Sequence, residues 1–171
     1  MSDLLSSTAL PLVLGVDIGR YGAIAAVGLD GCLFAVEDMP VLNDGPAGRP
    51  TVNAALLAQI VRRCRASRAF VEYVGARPGE GAVGAFAFGR SAGTVSGVLG
   101  ALGVPAATIA PAAWKRAVGL PAGRDGAKDA ARSEAIRRWP SHAALFARVK
   151  DDGRADAALI AIAGLKREAS R

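Results

Sequence analysis

Short apolar runs separated by turns give the chain an alternating pattern that predicts an α/β domain. Five runs rich in apolar and β-branched residues predict strands at 12–18, 23–28, 32–37, 69–74 and 104–109. An Asp30-Gly31 turn between the second and third runs indicates a hairpin. Residues 38–50 contain several Pro and Gly residues, so we predict a loop there.

The longer segments between and after these strands have the features of helices. We predict helices at about 53–65, 85–102, 111–118, 127–139 and 152–166. Thr51 or Asn53 is a candidate cap for the first helix, Pro111 begins the third and Pro140 ends the fourth. Three strands followed by alternating helices and strands predict a mixed five-stranded sheet. Right-handed crossovers would make the first, fourth and fifth strands parallel.

Four acidic residues occupy positions where a carboxylate is costly. Asp17 ends the first apolar strand, and Glu72 interrupts the fourth. Asp152 and Asp156 open a helix that is otherwise almost wholly apolar. A carboxylate in apolar surroundings shifts its pKa, pairs with a cation or binds a metal ion. Four such acids without a matching set of His or Cys favour a hard cation such as Mg²⁺ or Mn²⁺.

The predicted topology brings these acids together. Asp17 and Glu72 lie at the carboxyl ends of strands that we expect to be parallel neighbours, and ligands of open α/β sheets bind outside that edge. Asp152 and Asp156 are four residues apart, so they share a helix face. Structural roles remain open, because Asp17 suits a turn and Asp151 or Asp152 suits a helix N-cap. Glu72 and Asp156 are harder to explain in that way.

Composition limits the class of protein. The 171 residues suffice for one domain, so we predict a flexible leader at 1–11 and a single domain at 12–171. A hydrophobic content of 51% excludes a disordered chain, and no apolar run reaches the roughly 20 residues of a membrane span. Cys32 and Cys64 are too few for a disulfide framework, and we interpret them as small core residues of a reduced, cytoplasmic protein. A net charge of +6 favours a polyanionic partner, nucleic acid first.

The segments around the four acids resemble the RuvC-like Holliday junction resolvases, a branch of the RNase H-like nuclease superfamily. The similarity covers roughly residues 12–166, and the matching segments are Leu14–Gly19, Phe70–Val74, Pro111–Lys115 and Asp152–Ala157. The last two acids of bacterial RuvC are three residues apart, whereas Asp152 and Asp156 are four apart, as in phage-like and chloroplast-like resolvases. Because of this departure, Asp151 is an alternative to Asp152 as the third metal ligand. We favour Asp152.

The resemblance implies an RNase H-like fold and a structure-selective DNA endonuclease. It implies a homodimer that resolves four-way junctions by paired symmetric nicks, in DNA recombination, repair or phage DNA processing. It also implies two Mg²⁺ ions per active site, with Mn²⁺ as a substitute, and a cytoplasmic location in a bacterium or a phage-infected cell. The implied catalytic metal ligands are Asp17, Glu72, Asp152 and Asp156.

The same resemblance assigns roles to several polar residues. Lys128 would help catalysis or grip the scissile strand, and Lys115 would contact DNA. Arg90 and Ser91 lie on a glycine-rich helix that would face both the DNA and the second protomer. Apart from the resemblance, Arg77, in the glycine-rich loop after the fourth strand, is a candidate phosphate contact. A solvated surface position is the alternative for each lysine and for Arg77.

Aromatic side chains have two interpretations. Tyr73, Phe86 and Phe88 could wedge into an opened junction, but we favour core packing for each. Trp114 suits the core or an interface better than base stacking. We interpret the single histidine, His142, as a surface residue and not as a general base.

Three other functions fit parts of the pattern. The four acids also suit an RNase H-like nuclease acting on flaps, branched DNA or RNA–DNA hybrids. The segment Val16–Gly19 resembles the start of actin-like and sugar-kinase-like ATPases, but these need a duplicated domain for which the chain is short. A catalytically inactive junction-binding protein is disfavoured, because all four acids are present.

Overall fold

The computed structural model describes residues 11–19, 21–45, 50–73, 75, 81–121 and 127–170. Arg77 and all but the last residue of the predicted leader at 1–11 lie outside these residues. Within the described part of the chain, no helix is both long and apolar enough to cross a membrane.

The described residues form seven strands and five α-helices. The strands are β1 (Leu12–Asp17), β2 (Ala23–Gly28), β3 (Leu33–Asp38), β4 (Val41–Leu42), β5 (Thr51–Val52), β6 (Arg68–Glu72) and β7 (Ala106–Ile109). The helices are α1 (Ala54–Cys64), α2 (Ala82–Ala101), α3 (Pro111–Ala117), α4 (Ala127–Arg138) and α5 (Asp152–Ala169). Two short 3₁₀ helices, Pro140–Leu145 and Val149–Asp151, lead into α5.

The main sheet is mixed and has five strands in the order β3-β2-β1-β6-β7. Strand β1 pairs antiparallel with β2 and parallel with β6, and β6 pairs parallel with β7. The predicted fold class, a β-meander followed by βαβ units, is therefore confirmed. A separate pair of strands, β4 and β5, was not predicted. A two-residue strand such as Val41–Leu42 is too short to show periodicity, so the prediction of a continuous loop at 38–50 was wrong there.

Helix α1 shows how local sequence defines an element. The side chain of Asn53 accepts a hydrogen bond from the Leu56 N–H at 3.1 Å, which confirms Asn53 as the cap. Leu57, Ile60 and Val61 recur at helical spacing, and all three are buried against the sheet. The amphipathic pattern therefore determines both where the helix begins and which face it buries.

The sheet has a hydrophobic core on each side. Helices α1 and α2 cover one face, where they pack on Leu14, Val16 and Val71. Helices α3, α4 and α5 cover the other face, where Val13 and Phe70 are buried. Helix α5 is the central element of this second layer, and nearly all its residues from 155 to 164 are buried.

Two glycines allow α5 to lie unusually close to the sheet. A Cβ atom on Gly15 in β1 would lie 2.6 Å from the backbone nitrogen of Ala161 and would overlap the carbonyl oxygen of Ala157. A Cβ atom on Gly164 would overlap the buried ring of Phe70. Neither the helix backbone nor a packed ring can move aside without disturbing the core, so both positions require glycine.

We predict that Gly15→Ala destabilises the protein by about 1–3 kcal/mol or more, because an inserted methyl group forces the helix away from the sheet. Urea unfolding would measure the change in the free energy of unfolding. Gly81→Ala is the matched control, because a Cβ atom there meets nothing within 4 Å. Equal stability of the two variants would contradict the close approach.

Candidate active site

Two of the predicted acids end neighbouring parallel strands. Asp17 is the last residue of β1, and Glu72 is the last residue of β6. Val16 pairs in register with Val71, and these two valines are buried beneath α1 and α2. Because side chains alternate along a strand, Asp17 and Glu72 belong to the opposite face, the one covered by α5. The structure therefore places both carboxylates on one face and at one edge of the sheet.

The first turn of α5 lies against the end of β1. A Cβ atom on Gly153 would lie 3.2 Å from Oδ2 of Asp17 and 3.1 Å from the Cα of Gly22. Asp152 immediately precedes this glycine, Asp156 follows it three residues later, and both are half-buried. The helix segment that carries the second pair of acids is thus adjacent to the Asp17 carboxylate.

Glu72 has a buried hydrogen-bond donor. Nε1 of Trp114, on α3, donates to Oε1 of Glu72 at 2.8 Å. Trp114 is fully buried, which confirms its predicted place in the core. No local sequence pattern indicated that its N–H group would reach a carboxylate 42 residues away.

Asp151 has a different role from the other acids. Its carboxylate is buried and accepts hydrogen bonds from the Arg148 backbone N–H at 2.9 Å and from its guanidinium at 2.8 and 3.1 Å. The Arg148 guanidinium holds the pKa of the Asp151 carboxyl below its usual value. These contacts close the 3₁₀ turn before α5. They support Asp152, and not Asp151, as the candidate metal ligand.

A second ion pair attaches the start of α5 to the sheet. Nε and a terminal nitrogen of Arg154 donate to the two carboxylate oxygens of Asp38 at 2.6 and 2.7 Å. This bidentate pair lowers the pKa of Asp38 and joins α5 to the end of β3. Sequence reasoning missed Arg148, Arg154 and Asp38. The three-residue spacing of Arg148 and Asp151 was a local signal, whereas nothing local links Asp38 to Arg154.

The predicted DNA-contacting residues lie on several elements. Lys115 is half-buried, with Nζ 5.4 Å from the centre of the Trp114 ring. Arg90 is exposed on α2, and Oγ of Ser91 donates to the Ala87 carbonyl oxygen at 3.2 Å. Lys128 belongs to α4, but its side chain lies outside the described part of the structure. Of these residues, Lys115 is connected to the acids through Trp114.

The aromatic residues do not share one environment. Tyr73 and Phe86 are 57% and 75% exposed, so the preferred prediction of core packing was wrong for both. Tyr73 follows the end of β6 directly, and Phe86 lies on the face of α2 that points away from the sheet. Phe88 packs against the core beneath α1 and α2, as predicted.

The two cysteines and the single histidine have surroundings of their own, which differ from those predicted for Cys32 and His142. Both thiols are free, but Cys32 is exposed in the turn before β3, so its predicted core position was wrong. That turn is organised by the Cys32 N–H, which donates to Asp30 Oδ1 at 2.9 Å and leaves the side chain outside the core. Cys64 is half-buried. His142, predicted at the surface, is half-buried, with Nδ1 3.1 Å from the Ser141 hydroxyl.

Among the described residues, no group of three or more His, Cys, Asp or Glu side chains is arranged so that it could hold a metal ion. Asp17 and Glu72 end neighbouring strands, and the first turn of α5 lies beside Asp17, but the four described carboxylates do not form a closed cluster. Their oxygen atoms are nevertheless the donors that Mg²⁺ and Mn²⁺ prefer, so the donor set fits such an ion chemically.

The sheet order, with helices on both faces, defines the RNase H-like α/β fold. Within that class, the chain has the fold of RuvC. A Thermus thermophilus RuvC structure in complex with a Holliday junction substrate matches with a TM-score of 0.67 and 20% identity, over 94% of this chain and 96% of that one. A second Thermus thermophilus RuvC structure matches with a TM-score of 0.63 and 21% identity, over 93% and 96%. No family model and no curated protein matches the sequence. The predicted resemblance is therefore confirmed at the level of the fold.

We predict that Asp151→Asn lowers the free energy of unfolding by about 1.5–3 kcal/mol, because a buried carboxylate loses charged hydrogen bonds to Arg148. Asp152→Asn should cost clearly less, because Asp152 is half-buried. Thermal and urea unfolding of both variants would measure the difference. If Asp152→Asn lowered the free energy of unfolding more than Asp151→Asn, the assignment of Asp151 as structural and Asp152 as the candidate ligand would be contradicted.

Proposed function

We propose that this chain is a structure-selective, divalent-metal-dependent DNA endonuclease that resolves four-way junctions by paired symmetric nicks. One observation carries the proposal: Asp17 and Glu72 end adjacent parallel strands on the face against which the start of α5, the helix that carries Asp152 and Asp156, is packed. The RuvC fold supports it, since one RuvC structure of that fold holds a Holliday junction substrate. The setting would be recombination, repair or phage DNA processing in the cytoplasm of a bacterium or a phage-infected cell.

The four acids are the proposed ligands of the metal ions. Asp17, Glu72, Asp152 and Asp156 would hold the Mg²⁺ ions. When bound, the two ions supply an activated water and stabilise the departing oxygen, and Mn²⁺ can replace Mg²⁺ in that chemistry. All four acids are half-buried, so none of them is sealed in the core away from a cation.

The reaction is hydrolysis of one phosphodiester bond per protomer. Water adds to phosphorus, the bond from phosphorus to the 3′ oxygen breaks, and that oxygen takes up a proton, so the products are a 5′ phosphate and a 3′ hydroxyl. The four acids would hold the cations that bind the phosphate at the strand ends. Lys128, at the start of α4, would add positive charge as negative charge builds up on the phosphate.

Positive charge supplies affinity for DNA. The chain has a net charge of +6, and Arg77, Arg90, Ser91, Lys115 and Lys128 are the proposed contacts. Such contacts are to phosphates, so we expect binding to weaken steeply as salt increases. The preference for a junction would then come from the shape of the branched DNA and not from its sequence.

Helix α2 is the proposed dimer contact. Gly89, Gly93, Gly97 and Gly100 lie along one exposed side of this helix, and a Cβ atom at any of them would meet nothing within 4 Å. The opposite side packs into the core through Val95 and Leu99. A smooth side of this kind lets a second helix approach closely, and exposed Phe86 adds an apolar contact near its start.

We predict that Gly93→Leu shifts the protein from dimer to monomer, because the added side chain holds the two helices apart. Sedimentation velocity would measure the mass in solution. Ala107→Leu, at an exposed position on the edge strand β7, adds a similar bulk away from α2 and should leave the dimer intact. A dimer that persists in Gly93→Leu would contradict this interface.

We predict that Asp17→Asn retains junction binding and loses cleavage by a factor of 10³ or more, on the order expected when a central charged group of a metal site is removed. Binding would be followed by gel shift, and nicking by labelled four-way junctions with Mg²⁺ or EDTA. Full cleavage activity in Asp17→Asn would contradict the assignment of Asp17 as a catalytic metal ligand.

The substrate itself is tested with the wild-type protein on four-way, three-way, flap, linear and RNA–DNA hybrid substrates. Paired nicks in opposing strands of the four-way junction, absent from the linear duplex, are the expected result. Faster cleavage of flaps, three-way branches or hybrids would favour another RNase H-like nuclease. Binding without cleavage in both Mg²⁺ and Mn²⁺ would leave only a junction-binding protein.

A further inference from the structure

Trp114 donates a hydrogen bond to the proposed metal ligand Glu72, and that contact suggests a specific task. Its Nε1 donates to Oε1 of Glu72 at 2.8 Å, and the whole side chain is buried. We propose that Trp114 is a positioning residue that fixes the Glu72 carboxylate for cation binding. This inference rests on the proposed function, because it concerns the same metal site.

The helix that carries the donor is attached to α5, which is itself attached to β7. Helix α3 starts with Pro111, and Nζ of Lys166 on α5 donates to the Ala117 carbonyl oxygen at its end, at 3.0 Å. Arg167, also on α5, donates to the Thr108 carbonyl oxygen of β7 at 3.1 Å. The indole is thus carried by a short helix that is fastened to α5, the element that also carries Asp152 and Asp156.

The acceptor is held by its strand. Glu72 pairs in register with Ile109 of β7, and the next residue, Tyr73, donates its backbone N–H to the Ile109 carbonyl oxygen at 2.9 Å. The backbone of Glu72 is therefore fixed, but its side chain has three rotatable bonds. The hydrogen bond to Trp114 selects among those rotamers.

Indole suits this task because its N–H is a donor and never an acceptor. It engages one lone pair of Oε1 and leaves the other carboxylate oxygen available to a cation. A ligand that is already oriented loses less conformational freedom when the cation binds. Partners of this kind, which contact a ligand but not the metal, commonly change metal affinity by about 10–100-fold when they are removed.

The second tryptophan provides a matched control. The chain has two tryptophans, and Nε1 of Trp139 donates to the Gly31 carbonyl oxygen at 2.9 Å. Trp139 is also buried, at 6% exposure, in the same core. Replacing either residue with phenylalanine removes one buried indole N–H and a similar volume, but only Trp114→Phe affects a proposed ligand.

The first test measures Mn²⁺ binding to the DNA-free protein by electron paramagnetic resonance, so cleavage is not the readout. We expect Trp114→Phe to weaken Mn²⁺ binding by about 10-fold or more, and Trp139→Phe to change it by less than about 2-fold. Equal Mn²⁺ affinity in Trp114→Phe and the wild type would overturn the inference and leave the proposed metal site standing. If the wild type does not bind Mn²⁺, the metal site itself fails and the inference fails with it.

A second test needs no variant at position 114. Two indole N–H signals are expected in a ¹⁵N correlation spectrum of the wild type, and the one missing from Trp139→Phe is assigned to Trp139. Titration with Mg²⁺ should shift the Trp114 signal and leave the Trp139 signal in place. Saturating Mg²⁺ binding without a shift of the Trp114 signal would overturn the inference even if Trp114→Phe does not fold.

Discussion

The backbone contact between β1 and α5 is the constraint on which the site depends. Gly15 leaves no side chain between the strand and the Ala157 carbonyl, and Gly153 allows the first turn of the helix to contact the chain around Tyr21 and Gly22. This close approach sets α5 beside the Asp17 carboxylate. If either glycine carried a side chain, the helix would lie farther from the sheet, and Asp152 and Asp156 would move away from the strand ends.

Charged groups around this contact divide into two sets. Arg148 with Asp151, and Arg154 with Asp38, satisfy one another and fasten the start of α5 to the chain before it and to β3. Glu72 has a different kind of partner: it is half-buried, and it accepts a hydrogen bond from the neutral indole of Trp114. A neutral donor orients a carboxylate and leaves its charge in place, whereas an arginine would compete with the cation. The fold thus pairs its structural acids with arginine and leaves the charge of Glu72 available.

The mixed sheet with three parallel strands, and the placement of Asp17 and Glu72, could be predicted from the sequence, because strand periodicity and the handedness of crossovers are local or general rules. Other features could not. The Trp114–Glu72 and Arg154–Asp38 contacts join residues 42 and 116 positions apart, and no local pattern encodes such pairs. Tyr73 and Phe86 were misplaced because hydrophobicity favours burial, whereas their positions after β6 and on the outer side of α2 expose them. The short strand β4 lacked enough residues to show a period.

The central claim is that four acids separated by up to 139 positions in sequence form one cation site at the carboxyl edge of the sheet. Anomalous diffraction from crystals of the wild-type protein soaked in Mn²⁺ tests this claim most directly. We expect manganese peaks in direct contact with Asp17, with Glu72 and at least one of Asp152 and Asp156 completing the ligand set. Manganese found only elsewhere, or bound to Asp17 with both α5 acids turned away, would contradict it.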